Sequence, residues 1–120
     1  MRITSRSGQH LATPSSLEGR TIRSRDDHKV GVISSLVLDE STGQVEYLLV
    51  TTGGILGVGE KYHPVPWRHV RFDAQSGDYL GDFGRNAIKS APAYDRDQLS
   101  STAYGWAEQV GQHFELEATA

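Results

Sequence analysis

Three consecutive stretches decide the fold class of this 120-residue chain: Val30-Gly31-Val32-Ile33-Ser34-Ser35-Leu36-Val37-Leu38, the link Asp39-Glu40-Ser41-Thr42-Gly43, and Val45-Glu46-Tyr47-Leu48-Leu49-Val50-Thr51. Successive side chains of a strand point to opposite faces, so residues two apart share one. In the first run Val30, Val32, Leu36 and Leu38 fall on one face, and Ile33 and Val37 on the other. In the last run Val45, Tyr47 and Leu49 share a face, and Leu48 and Val50 the opposite one. Both runs are rich in β-branched and aromatic residues, which suit a pleated, half-buried surface. The link favours local side-chain-to-backbone bonds through Asp, Ser and Thr, and Gly43 accepts the positive φ that closes a hairpin. A single open sheet would waste one of the two apolar faces. The pattern therefore predicts a mainly β protein, a small closed barrel whose outside is partly covered by a helix, a tail or a second subunit. With one face filling the barrel, Ile33, Val37, Leu48 and Val50 are the set expected outside.

Working outward, the same turn chemistry returns as Asp73-Ala74-Gln75-Ser76-Gly77, ahead of the strand-like Asp78-Tyr79-Leu80-Gly81-Asp82-Phe83. Shorter strands are expected at Arg20–Arg23 and His69–Phe72. Nothing else recurs at that spacing, so the twin turns do not mark a repeat protein. Residues 1–16 hold only Met1, Ile3, Leu11 and Ala12 as apolar side chains and read as a flexible or loosely docked tail. The barrel is expected over residues 17–85 and a C-terminal extension over 86–120. In that extension Asn86–Ser90 suits a helical turn stopped by Pro92. Ala103, Trp106, Ala107, Val110 and Phe114 sit at helical spacing. Gly105 and Gly111 each cost about 1 kcal/mol relative to Ala inside a helix, so this short helix forms by docking its stripe.

Composition removes whole classes of function. Twelve basic and fifteen acidic side chains give a net charge of −3. Arg20, Arg23, Arg25 and Lys29 are interleaved with Glu18, Asp26 and Asp27, a solvated hairpin face rather than a footprint for DNA or RNA. The absence of Cys excludes a disulfide framework, thiolate zinc sites and thiol catalysis. No apolar run approaches the roughly 18 residues of a membrane span. No apolar signal region follows Met1-Arg2-Ile3-Thr4-Ser5-Arg6, so a cytoplasmic protein is expected.

The candidate chemical motifs fail on their own terms. Gly54 and Gly59 have the opening spacing of a phosphate loop, but Glu60 and Lys61 stand where Lys and Ser/Thr are required, and Glu60 sets an anion where phosphate would sit. A dinucleotide fingerprint from Gly57 and Gly59 meets bulky Tyr62 at its third small position. His63, His69 and Asp73 lack the short spacings of a metal site, and Pro64 and Pro66 suit a sheet edge where no N–H is needed. Ser34 and Ser35 have His28 nearby in sequence but no nucleophile elbow. Asp26-Asp27-His28 reads as a turn. The expectation is no enzyme activity, no catalytic residues, no metal and no cofactor. What remains is apolar: Ile55, Leu56 and Val58 in a glycine-rich loop, expected either to tuck under the C-terminal helix or to meet a partner, and Trp67 as an anchor for a core or an interface.

Taken in order, several segments spell a known pattern. Leu17-Glu18-Gly19-Arg20-Thr21-Ile22, Lys29-Val30-Gly31-Val32-Ile33, Leu36-Val37-Leu38-Asp39 and Thr42-Gly43-Gln44-Val45-Glu46-Tyr47-Leu48-Leu49-Val50 resemble the PRC-barrel family. The stretch from Gly53 to Trp67 resembles its next segment, and Asn86 to Tyr94 is similar to the tail that follows the barrel in stand-alone bacterial members. The resemblance implies a β-barrel of about six strands with no shared catalytic residues. One branch forms the cytoplasmic domain of the photosynthetic reaction-centre H subunit behind a membrane helix. Another follows a second barrel in a ribosome maturation factor. This chain looks like a free-standing third kind. The expectation is a non-enzymatic interaction or assembly module that forms a homo-oligomer or binds a protein partner, with Ile33, Val37, Leu48, Val50, Ile55, Leu56, Val58 and Trp67 as candidate interface. The alternatives are an RNA- or ribosome-associated factor, or a soluble relative of the H-subunit domain at an electron-transfer membrane complex.

Overall fold

A computed structural model describes residues 2–4, 10–52, 61–101 and 105–119. A hairpin of β1 (Arg2–Thr4) and β2 (His10–Ala12) and a helical turn, α1 (Pro14–Leu17), occupy the segment expected as a tail. Leu17 is buried and the His10 ring lies 5.2 Å from that of Phe72, so this segment is docked on the body. The main sheet follows: β3 (Thr21–Arg23), β4 (Lys29–Asp39), β5 (Gln44–Thr51), β6 (His63–Pro66), β7 (Val70–Phe72) and β8 (Tyr79–Gly81). Its order is β6-β5-β4-β3-β8-β7, antiparallel except where β3 meets β8.

The sheet has six strands but does not close, which corrects the closed-barrel expectation. Its two edge strands, β6 and β7, are consecutive in the chain and joined by the 3-10 turn Trp67–His69. Among the described residues they are linked by that turn, not by a ladder. Prolines supply the reason. Backbone N–H groups alternate sides along a strand, and Pro64 and Pro66 have none to give. The donors that pair β6 with β5 must come from His63 and Val65, which stand opposite Val50 and Leu48. The outward edge is thus the donorless one, where Pro belongs.

Both hairpin links form as their chemistry dictates. Gly43 has φ 76° and Gly77 φ 79°, and each donates its N–H to the carbonyl of the Asp that opens its turn, at 2.7 and 2.8 Å. The Ser41 hydroxyl bonds the Asp39 carboxylate and the Ser76 hydroxyl that of Asp73, holding both carboxyls below their ordinary value.

The face assignment made from strand parity is overturned. Ile33, Leu48 and Val50 are fully buried in the core with Ile22, Val65, Phe83 and Ile88. The face carrying Gly31, Ile33, Leu48 and Val50 is the one that turns inward; a bulge at Ser34 then breaks the alternation within β4, so that Leu36 and not Val37 shares that face, Ile33 standing opposite Val50 and Leu36 opposite Leu48. An extra residue flips the alternation, so an odd and an even position share the inner face. Val37, Tyr47 and Leu49 take the outer face, where the C-terminal helices cover them.

Those helices are α2 (Arg96–Ser100) and α3 (Trp106–Thr119). Sequence reading missed α2, although Asp95 and Gln98 spell the capping box that starts it, each side chain bonding the other's backbone N–H, at 2.8 and 2.9 Å. The expected stripe of α3 is present: Trp106, Val110 and Phe114, four apart, are buried. Ala107, one step round the helix, is exposed, and Ala103 lies outside the described residues. The Trp106 ring meets Tyr47 edge-on at 4.9 Å and Phe114 meets Phe83 at 5.2 Å. Helix α3 therefore packs on β6 and on the 83–94 segment that follows the sheet.

Candidate interaction surface

Of the residues picked as interface, Ile33, Leu48 and Val50 are core and no partner can reach them without opening the fold. Val37 is half-buried and lines a hollow of about 470 Å3 with Leu49, Arg96 and Leu99 between the outer sheet face and α2. Ile55, Leu56 and Val58 lie outside the described residues. Among the described members of the set, Trp67 is the one large exposed apolar side chain, at 37%.

Its surroundings make a patch. Trp67 lines a hollow of about 340 Å3 with Gln44 and Val45. Val45 stands opposite Leu38, which is 44% exposed, at the tip of the long β4–β5 hairpin. Behind Trp67 an aromatic row runs inward, to Tyr79 at 5.9 Å and from Tyr79 to Phe72 at 5.6 Å. The ring is held in place from one side and open on the other, which suits an anchor for a partner.

The titratable groups weighed as ligands or catalysts are each committed locally. His63 is buried and its Nδ1 donates to the Ala91 carbonyl at 3.2 Å. His28 lies 3.3 Å from Asp26, within its own turn. His69 is buried too, and its Nδ1 donates to both carboxylate oxygens of Asp82, at 2.9 and 3.0 Å. Its Nε2 lies 3.7 Å from Glu115 of α3, and Arg68 reaches the same carboxylate at 3.4 Å. Sequence reading could not find this cluster, because its members are 13 and 46 positions from His69 and share no local pattern. A His–Asp pair invites an acid–base reading, but Nε2 is shielded from solvent and without a hydrogen-bond partner, so no substrate can reach it. The cluster ties the 3-10 turn to the exit of β8 and to α3. Among the described residues no three His, Asp or Glu are placed to hold a metal ion.

Burial pushes the His63 imidazole below its ordinary value of 6.5, outweighing the backbone bonds that favour its charge. The folded state then binds a proton less readily than the unfolded one. Stability from this site is complete above about pH 6.5 and is lost as pH falls below it. Melting curves from pH 7 to pH 5 are expected to fall more steeply for the wild type than for His63→Gln, whose amide still offers a donor to Ala91. Parallel profiles would remove His63 from the acid response.

Several of the basic side chains are engaged as well. Arg23 bonds Asp78 at 3.0 Å, Arg85 bonds Asp26 at 3.0 Å, and Arg25 donates to the carbonyls of Asp82 and Ala118. No described helix is long and apolar enough to cross a membrane. The family model of the PRC-barrel domain matches residues 12–81, from β2 to the end of β8. No curated protein matches the chain significantly.

Proposed function

This chain belongs to the PRC-barrel domain family, and on that premise we propose that it is a non-enzymatic protein-interaction module that self-associates. The observation that carries the reading is the anchored, half-open Trp67 beside Val45 and Leu38, on a fold whose two buried histidines, His63 and His69, are held by structural partners. The Ile55-Leu56-Val58 stretch, which precedes β6 in the sequence, is proposed as the second part of the contact. Large exposed apolar groups of this kind are where interfaces concentrate their binding energy. An RNA-associated role draws no support from the side chains of Arg23 and Arg85, which face carboxylates, since a phosphate binder keeps such groups free.

Gel filtration over a micromolar concentration series tests this reading with two variants, Leu56→Asp and Trp67→Ser. Each is expected to raise the concentration of half-association by about tenfold or more, the equivalent of about 1.4 kcal/mol. Unchanged association in both would place the contact elsewhere and refute this surface.

A further inference from the structure

We draw no further inference here: the strongest candidate, the apolar hollow of about 470 Å3 between the outer sheet face and α2, lined by Val37, Leu49 and Leu99, carries nothing, because no feature of the described residues shows what covers it.

Discussion

Phe114→Ala is expected to cost about 3–5 kcal/mol, the range for truncating a fully buried Phe. The ring is wholly buried on α3, edge-on to Phe83 at 5.2 Å and 6.3 Å from the His69 ring. A domain of this size holds only about 5–15 kcal/mol in total, so one such loss removes a large part of it. The melting midpoint should drop by roughly 10 °C or more. Leu116, two residues along the same helix, is 71% exposed. Leu116→Ala should stay within about 0.5 kcal/mol of the wild type, as surface substitutions do. The contrast separates burial from helix propensity, since both variants gain an alanine on one helix. Thermal melts followed by circular dichroism make the comparison; equal melting of the two variants would mean that α3 is not part of the core.

Gly81→Ala is expected to destabilise the fold by about 3 kcal/mol, the upper end for overpacking a core. A methyl group at Gly81 would run into the far edge of the Phe83 ring, at Cζ, Cε1 and Cε2. That ring has no room to retreat, because it is fully buried and has Phe114 behind it. The cost is steric, arising from the close approach of a ring and not from an unusual backbone angle. It should therefore be relieved by a smaller neighbour. Combined with Phe83→Leu, Gly81→Ala should cost less than the sum of the two single changes by well over about 0.5 kcal/mol, the scatter expected of independent sites. Simple additivity in chemical denaturation would exclude the clash as the cause. Gly31 is constrained in the same way, with an added methyl placed 2.5 Å from Val50 Cγ1 and 3.1 Å from the Thr51 carbonyl.

What could be read in the sequence was what depends on near neighbours. The turns at Asp39–Gly43 and Asp73–Gly77 are local chemistry, and both have the Asp acceptor and left-handed Gly that their residues imply. The α3 stripe is periodic and self-announcing, and Pro64 and Pro66 pointed to an edge strand, which β6 is. Strand faces were not legible, because the bulge at Ser34 breaks the period of two on which the parity argument rests, and nothing in Ser34-Ser35 announces it. Parity also leaves open which apolar face turns inward, and that choice put Ile33, Leu48 and Val50 in the core. Closure was misread although its obstacle stands in the sequence, where Pro64 and Pro66 leave the outward edge of β6 without donors. The His69, Asp82 and Glu115 cluster is assembled by the fold from distant positions. Trp67 draws notice by its residue type, and its neighbours Val45 and Leu38 became visible only through strand register.

The central claim is that this PRC-barrel chain works by associating with itself. Multi-angle light scattering of the purified wild-type protein, from about one to some hundreds of micromolar, tests it most directly. The account predicts a mass that rises with concentration to two or more copies of the 13.2 kDa chain. A single species of 13.2 kDa across the whole range would contradict it.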